Sequence, residues 1–156
     1  MTDRDEIRAP VLPGRGGSDY ERYLRTDELL DLQKAPEERV HHDELLFQTV
    51  HQSSELWLKL AGEEVQKAAG DVERGELAPA LRLLRRANLC LRYVTDQLEM
   101  LNQMDPWEYQ QIRVVLGHGS GFDSPGFRRL PHAIQRIGAA LDRALGAAGL
   151  DLEQLY

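Results

Sequence analysis

Phe47 and His51 open the stretch FQTVHQSSELW, residues 47–57, four positions apart. On a helix that spacing puts both side chains on one face about one turn apart, with Ser54, Glu55 and Leu58 continuing the same side. An imidazole accepts or donates a proton near neutral pH and a phenyl ring stacks on flat groups, so the pair suits a planar ligand with a polar edge. The same spacing equally serves a histidine hydrogen-bonded at a helix–helix contact. Tyr109 and Arg113 repeat the four-residue interval. A guanidinium projecting into a pocket forks onto a carboxylate and would anchor an amino acid, whereas on a plain surface the tyrosine ring would only shield it. A third candidate is GHGSGFDSPG, residues 117–126, whose four glycines permit a close backbone approach to a ligand.

Metal chemistry has a weaker basis. His41, His42, Asp43 and Glu44 adjoin one another and Glu38 precedes His41 by three, but a carboxylate di-iron bundle needs two Glu-x-x-His pairs and this chain has one. HHDE reads better as a helix beginning, with acidic residues favoured in the first turn by the helix dipole. Cys90 is the only cysteine, which excludes an internal disulfide and a thiolate-rich zinc site; set between Leu89 and Leu91, it reads as core and fits a reducing, cytoplasmic setting. His118 and His132 stand in no pattern of their own.

The elements that would position these residues are all helical. Thr26 is placed to cap a short amphipathic helix carrying Leu29, Leu30 and Gln33, which Pro36 ends. A long helix is expected over 37–69 with Leu46, Val50, Trp57, Leu60 and Val65 on its core stripe, and Gly70 at its end. A second is expected over 77–103, with Leu81, Leu84, Leu91, Val94, Leu98 and Leu101 inward. DPWE starts a short helix over 106–116, because Asp105 can cap, Pro106 suits the first position and Glu108 completes a capping box. Residues 117–126 form a loop, and a last helix runs from Pro131 to about Ala147. No alternating strand pattern occurs, so the fold class is all-α: a helical bundle of two long helices with several shorter ones. Residues 1–17 read as a flexible tail and 18–156 as one domain.

With 26 acidic and 19 basic residues the net charge is −7, and no basic cluster is interleaved with aromatics, which argues against nucleic acid as a partner. No apolar run is long enough for a membrane span or a signal segment.

Three blocks in order, DYERYLRTDELLDLQ, HHDELLFQTVHQSSELWLKL and WEYQQIRVVLGHGSGFDSPGFRRL, resemble the tryptophan 2,3-dioxygenase family over roughly residues 19–130. The resemblance implies heme b with its iron as cofactor, O₂ as co-substrate, and cleavage of the indole ring of L-tryptophan to N-formylkynurenine. It implies His51 as the catalytic histidine beside the indole nitrogen, Phe47 as the aromatic wall, Tyr109 as a pocket residue and Arg113 as the clasp on the substrate carboxylate. Ser120 and Gly121 match the segment against the heme edge. Tyr20, Tyr23 and Leu24 match an N-terminal segment that reaches into a neighbouring subunit, which implies a homo-oligomer, a dimer or tetramer. Leu98 stands where the family commonly has tryptophan, and Ile112 where it commonly has phenylalanine. The family's proximal iron ligand and a later glycine-rich loop have no counterpart here, so the chain is expected to lack the C-terminal part of that fold. His132, in PHAIQRIG, is the only histidine beyond the SGF segment and the stand-in candidate for the metal. Two other readings stay open: a heme-dependent monooxygenase of aromatic amino acids, and a non-catalytic indole-binding or partner subunit.

Overall fold

A computed structural model describes residues 9–150. Among these residues there is no strand; the order is α1 (Asp19–Leu24), α2 (Thr26–Leu30), α3 (Glu44–Glu73), α4 (Leu77–Gln97), α5 (Pro106–Val115) and α6 (Pro125–Ala147), with 3₁₀ turns at Pro36–Glu38, Leu98–Gln103 and Gly121–Asp123. The all-α expectation holds, with three long helices instead of two. No helix of the described residues is long and apolar enough to cross a membrane.

The α3 helix is the axis of the molecule. It runs antiparallel to α4, as the successive Ser53–Gln97 and Glu64–Arg86 contacts show, and parallel to α6, joined by Glu55–Gly126 and, further along, Glu73–Arg143. The core between the three helices is built largely from small side chains: Ala61, Ala68 and Ala69 of α3, Ala80, Ala87 and Cys90 of α4, and Ala133 and Ala140 of α6, with Leu58, Val65, Val72, Leu83, Val94, Leu130 and Ile137 filling between them. Small residues let the helix backbones approach closely, which explains why the α4 stripe differs from expectation. Val94 is buried as expected, but the other buried positions, Ala80, Leu83, Ala87 and Cys90, lie beside the expected leucines; Leu84 and Leu91 sit at the margin of the core, and Leu81 and Leu98 are exposed. On α3, Val50 and Val65 are buried as expected, Trp57 packs at the edge of the core against Tyr93, and Leu60 is exposed.

Several boundaries moved for local reasons. Ser18 caps α1 by accepting the Glu21 N–H, and its hydroxyl donates to the Glu21 carboxylate, a Ser-x-x-Glu signature present in the sequence. Arg25, at φ 54°, breaks the chain between α1 and α2, so Thr26 is the first helical residue rather than a cap. The helix α3 begins at Glu44 instead of 37, because the Glu44 carboxylate turns back to accept the Val40 N–H and pair with Lys34. It runs through Gly70 and ends at Glu73, where Gly75 at φ 78° makes the left-handed turn into α4. Ser124 caps α6 through the Phe127 N–H and Pro125 takes its first position, so α6 starts inside the expected loop and carries Pro131 within it. Part of the expected tail folds back on α1: Asp19 accepts the N–H groups of Val11 and Leu12, and Arg22 donates to the carbonyls of Leu12 and Gly16. Residues 1–8 of that tail and 151–156 of the expected domain lie outside the described residues.

Candidate functional site

The stretch FQTVHQSSELW lies in the first half of α3, and nearly every polar side chain in it fixes a different part of the molecule to that helix. Gln48 accepts the Lys34 N–H at 3.0 Å, while Gln52 accepts from Gln33 and donates to the Leu32 carbonyl, so residues 32–34 are strapped across one side. Ser53 donates to Gln97, and Gln97 donates to Ser54, tying down the end of α4 and the 3₁₀ turn after it. The Glu55 carboxylate accepts from the Ser124 hydroxyl and, at 2.9 Å, from the Gly126 N–H, which anchors the start of α6. Ser54 and Leu58, expected on the ligand side, are buried against the core instead.

Between these walls opens a cavity of about 1020 Å³. Phe47, His51, Gln52 and Glu55 of α3 line one side; Pro106, Tyr109 and Arg113 of α5, with Leu116, line another; Gly119, Ser120, Gly121 and Ser124 form the third, and Leu101, Asn102 and Met104 close the end. The structure therefore brings together His51, Phe47, Tyr109, Arg113, Ser120 and Gly121. It does not bring Tyr20, Tyr23 and Leu24 to this cavity: they are exposed on α1, Tyr20 by 69 % and Tyr23 by 78 %. His132 is exposed on α6 and His118 on the loop, both outside the cavity wall, so His51 is the single histidine among the described lining residues.

The aromatic part is preassembled. The Phe47 and His51 rings stack with centroids 4.0 Å apart and planes 30° apart, and Tyr109 approaches Phe47 at 6.2 Å. The Nδ1 of His51 lies 2.7 Å from the Phe47 carbonyl oxygen. A carbonyl only accepts, so Nδ1 carries the proton and donates it, and the neutral ring keeps Nε2 as an acceptor with no partner among the described residues. The helix α5 presents Tyr109 and Arg113 because its start is fixed: Asp105 accepts the Trp107 N–H at 2.8 Å while Glu108 accepts the Asp105 N–H, the expected capping box. Ile112, fully buried, seats the helix. Nη1 of Arg113 donates to the Gly117 carbonyl at 2.8 Å, which holds the guanidinium at the end of α5 and leaves its remaining donors for a ligand. On the third wall Ser120 and Asp123 cap the 3₁₀ turn reciprocally, and a Cβ on Gly121 would meet open space, so this wall offers bare backbone to a flat group.

Fit to a heme can be tested on these features. The apolar side chains of Phe47, Leu101, Met104 and Leu116 and the open backbone at Gly121 suit one flank of a macrocycle. The residues present fit that flank. Apart from His51, no histidine stands among the described lining residues to hold the iron.

Away from the cavity, His41, Asp43 and Glu108 group where the chain enters α3, with His41 Nε2 3.6 Å from Glu108. Nδ1 of His41 accepts the Asp43 N–H, so the neutral ring has its proton on Nε2, facing the carboxylate as a donor and not as a metal ligand. Cys90 is buried in the core, where burial and the nearby Glu64 charge push its thiol up and keep it unreactive.

Of the residues expected to continue the Phe47–His51 face, Glu55 lines the cavity. Sequence reasoning missed Gln52, Leu101, Asn102, Met104, Leu116 and Ser124 as lining residues, although Ser124-Pro125 is a cap followed by a first-turn proline.

The model of the family described as tryptophan 2,3-dioxygenase matches residues 6–140. The tryptophan 2,3-dioxygenase of Xanthomonas campestris pv. campestris (strain B100) is 43 % identical over 109 residues, which cover 70 % of this chain and 37 % of that protein. That of Saccharopolyspora erythraea is 44 % identical over 111 residues, covering 71 % and 40 %, and that of Xanthomonas oryzae pv. oryzae (strain PXO99A) is 42 % identical over 109 residues, covering 70 % and 37 %. The chain thus spans about two fifths of the length of the curated relatives it matches. A family match that takes in α1 through most of α6, and with them every wall of the cavity, makes this chain a member of the tryptophan 2,3-dioxygenase family.

Proposed function

We propose that the chain supplies the substrate-facing side of a heme-dependent site that cleaves the indole ring of L-tryptophan to N-formylkynurenine. The observation that carries this reading is the meeting of two unlike walls in one cavity, the stacked Phe47–His51 pair and the Tyr109–Arg113 pair. The rings of Phe47 and Tyr109 select a flat aromatic group by stacking. The guanidinium of Arg113, already oriented by the Gly117 carbonyl, takes the amino-acid carboxylate in bidentate fashion. Nε2 of His51 accepts a hydrogen bond from the indole N–H, because its Nδ1 proton is committed to the Phe47 carbonyl.

Ser120 and Gly121 would lie against the heme edge, with the flat side of the cavity along its face. When bound, the heme supplies activation of O₂, and the residues here orient the substrate against it and keep bulk water from the indole. Tyr20, Tyr23 and Leu24, exposed in their own chain, complete the cavity of a second copy in a homo-oligomer.

Product analysis with labelled dioxygen tests the proposal on hemin-loaded protein. The expected product is N-formylkynurenine carrying both oxygen atoms. A hydroxylated amino acid carrying one atom would place the protein among monooxygenases, and tryptophan recovered unchanged from protein that binds it would leave an indole-binding partner subunit.

A further inference from the structure

Glu55 is the one acidic side chain among the described lining residues, and its two oxygens are spent on a different element from the one that carries it. Oε1 accepts the Ser124 hydroxyl proton and Oε2 accepts the Gly126 N–H at 2.9 Å. Ser124 in turn accepts the Phe127 N–H, so serine and glutamate together satisfy the free N–H groups at the start of the 23-residue α6. The approach is close because residue 126 has no side chain: a Cβ there would lie 2.6 Å from Leu58 Cβ and 2.9 Å from Glu55 Oε2. The third wall of the cavity, Gly119–Ser124, leads directly into this anchor.

We infer that Glu55 is a positioning residue: its carboxylate sets the spacing between the His51 wall and the Ser120–Gly121 wall, and hence the width of the slot available to a planar ligand. Glu55 lies one turn after His51 on the same helix, so one rigid element carries both the ring that meets the ligand and the clamp that fixes the opposite wall. The claim about spacing stands on the geometry alone; its consequence for affinity rests on the reading of the cavity as a tryptophan site.

Amide hydrogen exchange of the full chain tests the first part without any ligand, using Glu55→Ala, Glu55→Gln and Ser124→Ala. Glutamine keeps an acceptor for the Gly126 N–H and a polar partner for Ser124. Exchange at residues 124–128 is expected to speed at least ten-fold in Glu55→Ala, less in Ser124→Ala and little in Glu55→Gln, while α4 stays as protected as in the wild type. Unchanged protection at 124–128 in Glu55→Ala, or loss spread equally over α4, overturns the inference. Titration of L-tryptophan into the hemin-loaded variants tests the second part: Kd should rise at least ten-fold in Glu55→Ala and recover in Glu55→Gln. Wild-type affinity in Glu55→Ala contradicts the link from spacing to binding. Absence of binding by the wild type contradicts the tryptophan reading, and the exchange result then still decides the role of Glu55.

Discussion

The hydrogen bond from His51 Nδ1 to the Phe47 carbonyl settles which nitrogen of the ring is left for a ligand, and it does so within one helical turn. Arg113 is fixed in the same local way, by Gly117 four residues on. Replacing Arg113 by alanine removes the only cation among the described lining residues, and L-tryptophan binding should weaken by about 2–4 kcal/mol, as for other charge pairs truncated on one side. Tryptamine, which lacks the carboxylate, should bind the variant and the wild type alike; calorimetry with the two ligands separates loss of the clasp from damage to the cavity. At this scale the sequence was informative, since Phe47, His51, Tyr109 and Arg113 are each paired at one-turn spacing. It was uninformative about Leu101, Asn102 and Met104, which reach the cavity only because the chain leaves α4 in 3₁₀ turns that no residue pattern announces.

Helices and turns are held to α3 by single polar contacts whose removal has a direction. Glu44 is buried, which by itself would raise its pKa; the Lys34 ammonium, the Val40 N–H and the Arg39 charge outweigh that and hold the carboxyl below the usual range. A carboxylate with a lowered folded pKa contributes stability that is present above its unfolded value, about 4.3, and lost as pH falls through the folded one. The gap in urea midpoint between wild type and Glu44→Gln should therefore be constant near neutral pH and shrink below about pH 4.3. The close crossing of α3 and α6 gives a second prediction. Gly126→Ala sets a methyl group against Leu58 and Glu55 and should cost about 1–3 kcal/mol in chemical denaturation despite the better helix propensity of alanine. Helix existence was legible from periodicity and caps, and the Asp105–Glu108 box placed the start of α5 to the residue. The α4 register was not legible, because a face of alanines and a cysteine buries more completely than the leucines beside it once the partner helix is also lined with alanine.

Among the described residues, apolar side chains are exposed along several elements, and two groups of them bear on assembly. On α1, α2 and the strap after it, Tyr20, Tyr23, Leu24, Leu30 and Leu32 are exposed, and near the cavity Trp107 and Phe122 are exposed by 81 % and 93 %. Covering such groups is the usual reason for a chain to assemble. If the α1 segment completes the cavity of a second copy, sedimentation should show a dimer or larger species, and Tyr20→Asp with Tyr23→Asp should shift it toward monomer and weaken tryptophan binding together. Composition and periodicity indicated an all-α molecule, but nothing in them shows which apolar side chains are left exposed, as Leu83 of α4 is buried while Leu81 and Leu89 are exposed.

The proposed function centres on one cavity, to which α3 contributes Phe47 and His51. The most direct measurement is the absorption spectrum of the purified protein titrated with hemin and then with L-tryptophan. The account predicts a sharp Soret band that shifts on adding tryptophan and fails to shift in Arg113→Ala. A featureless hemin titration, or a Soret band indifferent to tryptophan, would contradict it.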